Sequence, residues 1–460
     1  MNAAANPVRA VAAWHDALAG SDQIAGDSAA WLIGQLARRG LFFGDRPLCT
    51  TLRPRFLSPE QQRLLWERCG TLLRALSIAF DAAMAEPKIF DQFRAEAWES
   101  ELIHADPDSG HPNALGRIDA FFNPAGSSFW LTEFNGETPA GQAYSDELAE
   151  IFMTMPVMRS FLQGHRVFPL RSRHGVMHAL LDSAARAGRG GGAGGPIIAI
   201  VDWREVPTQS EFRLFREYFA KYGLQCLIAD PDELEYSQGR LAVGGVPIDV
   251  VYKRVLLTEL IGRHGIEHPL VRATRDGAVT MVNGFRAKLL HKKASLAVLS
   301  DERNARLFDA ATLAVIAAHV PWTRVVEKRQ TQWKGNTVDL LDLMTRERER
   351  FVLKPNDDYG GQGIVLGWEV DSTVWDHAVG NALDGPWIVQ ERIELPWVTF
   401  PGVTDGKLTF TDRLVDTAPF AFGGTLIDGC LTRVSSDSLV NVTAGGGSTL
   451  ATFVVEECGR

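Results

Sequence analysis
A lysine followed by a glycine-rich stretch, Lys354-Pro355-Asn356-Asp357-Asp358-Tyr359-Gly360-Gly361-Gln362-Gly363, stands between two apolar runs, Phe351-Val352-Leu353 and Ile364-Val365-Leu366. Such runs predict two short strands joined by the glycine loop. Glycine tolerates positive φ and close approach, so the loop can lay backbone N–H groups on a polyphosphate while Lys354 supplies a cation. The stretch is not a P-loop, because it lacks G-x-x-x-x-G-K-[ST] and leads into a strand, and it is not a dinucleotide fingerprint. A plain hairpin turn, with Gly360 and Gly361 at positive φ, fits the same residues.

A second constellation lies far upstream. Gly116-Arg117-Ile118-Asp119-Ala120-Phe121-Phe122 and Phe129-Trp130-Leu131-Thr132-Glu133-Phe134-Asn135 alternate polar and apolar residues, which predicts two strands. Arg117 and Asp119 share one face of the first, Glu133 and Asn135 one face of the second. If the strands pair, three oxygen-bearing side chains and one arginine converge. Asp119, Glu133 and Asn135 form a hard-oxygen set suited to Mg2+. Arg117 beside them could clamp a transferring phosphoryl group. A hairpin with a solvated charged face is the other meaning of such alternation.

Together these motifs resemble the ATP-grasp ligases, specifically the circularly permuted branch that includes glutathionylspermidine synthase. In ordinary ATP-grasp chains the lysine and glycine loop precede the metal carboxylates; here Arg117-x-Asp119 and Glu133-x-Asn135 come first, and that reversal marks the permuted branch. The resemblance covers most of the chain, from about Gly116 onward. It implies a first ATP lysine at the start of a helix within Asn283 to Ala294, with Lys293 chosen ahead of Lys288 and Lys292. It implies ATP on Lys293 and Lys354 under the loop Gly360, Gly361, Gln362 and Gly363. The stretch Pro386 to Ile393 resembles the hinge that receives adenine, with Gln390, Glu391 and the Ile393 backbone as contacts. Thr432-Arg433-Val434-Ser435 and Asn441 to Gly447 resemble the family's terminal motif, with Arg433 facing phosphates or an acyl intermediate and, as an alternative, Gly445 to Gly447 a turn without a ligand. Two departures stand out: the chain has no Cys/His amidase arrangement, and its glycine loop is more acidic than in glutathionylspermidine synthase. The resemblance therefore implies ligase chemistry without implying glutathione or spermidine as substrates.

The elements that must position these residues can be read along the chain. The segment from residue 8 to 100 carries helical periodicities, including a run from Ser58, an N-cap ahead of Pro59-Glu60, to Phe80. Arg189 to Pro196 is a linker by composition. Strands at Pro196–Asp202, Leu224–Ala229 and Pro247–Val255, with a helix at Ser210–Tyr222, predict a small parallel sheet. Its ligand crevice would lie beyond the carboxyl ends of the strands, where Asp202-Trp203-Arg204-Glu205 and Lys253-Arg254 stand. In the family this is the pre-ATP-grasp domain, which makes Arg204 and Arg254 substrate anchors or, on the residues alone, partners in ion pairs. A strand pair turning at Ile427-Asp428-Gly429 precedes Arg433.

The fold class expected is α/β with α+β lobes, a circularly permuted ATP-grasp. Its parts are a helical N-terminal layer (1–105), the first part of the large lobe with the metal set (106–187), the parallel-sheet domain (196–275), a small lobe with glycine loop and hinge (276–395), and a return to the large lobe (396–460). At 460 residues the chain exceeds one ordinary core. With 47 basic and 56 acidic residues its net charge is −9, which disfavours nucleic acid and anionic membranes, so a phosphate ligand must be attracted locally. Five scattered cysteines without C-x-x-C spacing argue against a disulfide framework or structural zinc. No signal peptide or membrane-length apolar run is read, so a cytoplasmic location is expected. The expected function is an ATP- and Mg2+-dependent ligase that joins a small-molecule or peptide carboxylate to an amine through an acyl phosphate. The alternatives are an ATP-binding protein of the same fold without ligase activity, and a phosphotransferase.

Overall fold
The computed structural model of the chain describes residues 7–107, 110–123, 128–190, 194–357, 361–393, 395, 397–436 and 447–458. Its first hundred residues hold the helices Pro7–Ala19, Asp22–Arg39, Pro59–Ala85 and Ala97–Ala105. The longest starts at a capping box: the Ser58 hydroxyl accepts the Gln61 N–H at 3.1 Å and the Gln61 side chain accepts the Ser58 N–H at 3.0 Å. Pro59 fits the first helical position because its missing N–H needs no partner there. This layer is not purely helical. Strand Arg55–Leu57 runs parallel to Thr452–Glu457, which pairs antiparallel with His165–Pro169.

The strands expected to carry the metal set do pair. Leu115–Asn123 and Ser128–Asn135 are antiparallel, with Arg117 opposite Asn135 and Asp119 opposite Glu133. Past Asp119 the register shifts, so that Ala120 faces Leu131 and Thr132 is the extra residue. This bulge re-aims the strand: Leu131 and Phe134 are buried, while Glu133 and Asn135 stay partly exposed. The sheet continues through Lys407–Phe422, Leu426–Ser435 and Gly447–Leu450. The turn in this hairpin differs from expectation. It lies at Gly423 and Gly424, which hold φ of 56° and 71°, and Ile427-Asp428-Gly429 falls inside the following strand.

The expected parallel sheet is present, in the order Thr280–Val282, Val250–Lys253, Ile198–Val201, Cys226–Ala229. The crossover helix is Gln209–Ala220. A further antiparallel sheet sets Phe351–Pro355 between Trp387–Glu391 and Val365–Leu366, with Thr323–Val325 on the outer side of Trp387–Glu391. Its own core includes Trp333, Leu343, Phe351, Leu353, Trp375 and Val389. All five cysteines are free. Among the described residues no helix is long and apolar enough to cross a membrane.

Candidate active site
A cleft of about 560 Å3 opens between the central sheet, the carboxyl ends of the parallel strands and the lysine-bearing sheet. Twelve of the residues singled out from sequence line it: Arg117, Asp119, Glu133, Asn135, Arg254, Lys354, Gly361, Gln362, Gln390, Glu391, Ile393 and Arg433. Gly360 lies outside the described residues, as do Asn441 to Gly446 of the terminal motif. Gly363 is described, at φ 69° beside Gly361 at 75°, but is not in the lining.

Asp119 is the hub of the floor. Arg117 grips it with two bonds, Nε to Oδ1 at 2.6 Å and Nη2 to Oδ2 at 2.8 Å. Asn135 Nδ2 donates to Oδ2 at 2.8 Å and Arg433 Nη2 to the same oxygen at 2.9 Å. Burial alone would raise this carboxyl, but the guanidiniums of Arg117 and Arg433 outweigh it and hold it at about 2. Arg433 also pairs with Asp416, and its main-chain N–H donates to Asp416 Oδ1 at 2.7 Å. Arg117 gives a third bond to the Ala140 carbonyl at 2.8 Å. Two of its five N–H groups then have no protein partner among the described residues.

Lys354 projects from its strand into the cleft wall, donating to Gln390 Oε1 at 2.7 Å and more weakly to the Thr132 carbonyl at 3.4 Å. Burial lowers it to about 8 against the pull of Glu133. The Gln390 side chain, expected at the adenine, instead orients this lysine and donates to Thr323 Oγ1 at 3.0 Å. Lys293 precedes helix Ala294–Ser300 and reaches Glu133 Oε1 at 3.2 Å. Burial opposes ionisation of Glu133, yet Lys293, Lys354 and His291 together lower its carboxyl despite nearby Asp119. Four cations (Arg117, Arg433, Lys293, Lys354) against three carboxylates (Asp119, Glu133, Asp416) give this cluster one net positive charge, opposite in sign to the whole chain.

The three oxygens read as a metal set fit a hard cation by their chemistry. Asp119 Oδ1 accepts one bond, Glu133 Oε2 none among the described residues, and Asn135 turns its amide nitrogen to Asp119, which leaves its carbonyl oxygen for another partner.

For Arg204 and Arg254 the structure shows the ion pairs given as the alternative. Arg204 does not line the cleft: its side chain is 72% exposed and pairs with Glu233 in the short turn Pro231–Glu233 that follows the neighbouring strand. Arg254 lines the cleft but is held by Glu211 at 3.1 Å, and Glu211 in turn accepts the Gly141 and Ala143 N–H groups at 2.8 and 3.1 Å. It ties the parallel sheet to the central lobe.

Lys288 and Lys292, the alternatives to Lys293, belong to a separate buried cluster around Glu137. Glu137 accepts Lys253 at 3.2 Å, Lys288 at 3.0 Å and the Leu257 N–H at 2.7 Å, while Lys292 pairs with Glu99 at 2.8 Å. Burial would raise Glu137, but Lys253 and Lys288 hold it well below the carboxylate range. Glu137, His291 and Asp357 bring potential ligand atoms within 4.8 Å of one another, but the Lys288 ammonium already serves both carboxylates, with Asp357 at 2.8 Å. Sequence reasoning passed over Glu137. Its signal was an acid within Asn-Gly-Glu-Thr-Pro-Ala-Gly, a turn-forming stretch.

The chain matches no protein-family model. It is 24% identical over 445 residues to a curated protein named putative glutamate–cysteine ligase 2-2, from Frankia casuarinae. That match takes in 89% of this chain and 48% of the relative, so the chain spans about half the relative's length. Among solved structures, the match to a D-cycloserine synthetase covers 57% of this chain at a TM-score of 0.28 and 15% identity. A glutathione synthetase-like effector from Globodera pallida, in its apo form, matches with a TM-score of 0.62 at 10% identity, covering 94% of this chain and 98% of the effector. Across nearly its whole length, then, the chain shares the mixed α/β fold of that glutathione synthetase-like protein.

Proposed function
We propose that the protein is an ATP- and Mg2+-dependent carboxylate–amine ligase of the circularly permuted ATP-grasp kind, forming an amide through an acyl phosphate. One observation carries the reading: Arg117, Asp119, Glu133, Asn135 and Lys354, far apart in sequence, line one cleft, and Lys293, behind that lining, joins them through its 3.2 Å pair with Glu133, a net positive cluster in an acidic protein. The metal-set strands precede the lysine strand in the chain, which is the permuted order. The name of the Frankia relative and the fold shared with the effector point the same way.

On this reading Lys293 and Lys354 neutralise the ATP phosphates beneath the glycine loop, and the hinge after Trp387–Glu391 receives the base. Asp119, Glu133 and Asn135 would hold Mg2+, which when bound screens charge on the transferring phosphoryl group. The free N–H groups of Arg117 and those of Arg433 are placed to hold the acyl phosphate formed when a substrate carboxylate takes that group. An amine then displaces phosphate. The mechanism supplies its own electrophile, so no serine or cysteine nucleophile is required. A cytoplasmic location accords with its need for ATP.

The test is ADP release with panels of amino acids, peptides and polyamines, with mass spectrometry of products. L-glutamate and L-cysteine, from the relative's name, open the panel. ADP release that requires both an acid and an amine supports a ligase; release with acid alone shows a phosphotransferase. The tight cationic pairing of Asp119 favours a second reading, ATP binding without turnover, and ATP binding with no ADP release under any pair would establish it.

A further inference from the structure
At the end of the cleft away from the lysine sheet, one carboxylate has been left without a counter-charge. Asp202 follows strand Ile198–Val201, at the carboxyl end of a parallel strand where such sheets present ligands. It lines the cleft, yet the residue is only 7% exposed. Oδ1 accepts the Trp203 N–H at 2.9 Å; Oδ2 has no hydrogen-bond partner, and no ion pair reaches either oxygen among the described residues. The cations nearest in effect are committed elsewhere, Lys253 to Glu137 at 3.2 Å and Arg254 to Glu211 at 3.1 Å. The other charged group facing it, Glu259 on helix Leu257–His264, has the same sign and accepts Trp203 Nε1 at 3.1 Å.

A buried carboxylate with an open oxygen is costly unless a ligand brings a proton donor. From this geometry, and resting on the ligase reading, we infer that Asp202 is the subsite of the attacking primary amine and the acceptor of its proton. Asp202 and Glu259 make this end of the cleft suited to a cationic head group and unsuited to an anionic nucleophile. In the step itself the bound ammonium first gives one proton to the Asp202 carboxylate, which releases it to solvent, and the freed lone pair forms the C–N bond. The C–O bond of the acyl phosphate breaks, and phosphate leaves with that electron pair. The excess proton on nitrogen passes to the Asp202 carboxylate and ends on the departing phosphate, giving amide and hydrogen phosphate. Burial, partly offset by Arg254, raises the Asp202 carboxyl to about 6, close to the pH at which a proton acceptor works well.

Asp202→Asn is the variant of choice, because its amide oxygen still accepts the Trp203 N–H while the charge is lost. Two products are followed: the hydroxamate formed when hydroxylamine traps the acyl phosphate from whichever acid of the panel releases ADP, and the amide formed with the matching amine. The expected result is a drop of roughly a hundredfold or more in the ratio of amide to hydroxamate. The fall in amine kcat/KM below pH 6 should disappear as well, and Asp202→Glu should recover part of the ratio. An unchanged ratio and pH profile would overturn the assignment while leaving the ligase reading in place. Equal loss of both products would also overturn it, by showing a structural role. If the wild-type protein yields neither hydroxamate with any acid nor ADP with any acid–amine pair, the ligase reading itself fails.

Discussion

The main-chain N–H of Lys293 donates to the carbonyl of Asn356 at 2.9 Å, so two segments that each carry an expected ATP lysine are bolted together at their ends. Asn356 completes the joint with its side chain, accepting the Ala294 N–H at 2.8 Å and donating to the Phe93 carbonyl at 2.9 Å. The separation of Lys293 and Lys354 is thereby set by backbone.

Asn356→Ala orphans two buried backbone groups, each costing about 1–3 kcal/mol. Stability in urea should fall on the order of 2–4 kcal/mol, and Asn356→Asp, which keeps the acceptor but turns a buried carboxylate oxygen on the Phe93 carbonyl, should not recover it. A variant as stable as the parent would show that water replaces the joint.

ATP binding should weaken as pH rises through about 8. Lys354 is depressed to that value in the free protein, so it is cationic below and neutral above. A bound phosphate raises it again, so binding between pH 8 and the ordinary lysine value takes up a proton. Calorimetry in buffers of different ionisation heat reads this directly. Lys354→Ala should lose about 1.5–3 kcal/mol of binding at pH 7, and Lys354→Arg should bind without the alkaline limb. A flat pH profile in the parent protein removes Lys354 from the phosphates.

Asp119 and Glu133 face each other across the hairpin but should respond differently to neutralisation. Asp119 is buried at the cleft floor and depressed to about 2, so the stability it contributes is complete above the usual aspartate value and is lost as pH falls through 2. Asp119→Asn leaves Arg117 and Arg433 facing a neutral amide and should cost about 3–5 kcal/mol. Glu133 is a quarter exposed, so Glu133→Gln should cost only about 1 kcal/mol and still bind ATP, while turnover is abolished. Turnover retained in Glu133→Gln would detach the hairpin from the chemistry.

Glu137→Gln should destabilise the fold by about 3–5 kcal/mol, because Lys253 and Lys288, both almost fully enclosed, lose their shared carboxylate. Arg204→Ala, by contrast, should stay within about 0.5 kcal/mol with unchanged kinetics. Denaturation midpoints of the two variants settle the matter, and equal stability would remove Glu137 from its structural role.

Local pattern explains what could be read from sequence. Arg117, Asp119, Glu133 and Asn135 declared their faces through alternation, and Lys354 through its place at the end of an apolar run. The bulge at Thr132 left no local mark, yet without it Leu131 would share the polar face of Glu133. The pairing of Glu137 with Lys253 spans 116 residues, a distance over which alternation carries no information. Asp428-Gly429 looked like a turn because that dipeptide favours one; the chain turned a few residues earlier, where Gly423 and Gly424 offered two successive positive-φ positions. Arg204 and Arg254 show the limit for long cations, whose partners are set by tertiary placement.

The parallel pairing of Arg55–Leu57 with Thr452–Glu457, reinforced by the Thr50 N–H on Ser448 Oγ across 398 residues, bears on how the protein is made. On the ribosome the early strand and the helices around it must wait, with one edge unsatisfied, until the segment that follows Ser448, 398 residues beyond Thr50, has been translated. Contacts of such high order slow the final assembly step and leave that edge open to other chains. Removing residues 452–457 should therefore yield nascent protein that synthesises normally but associates through Arg55–Leu57 before it can close.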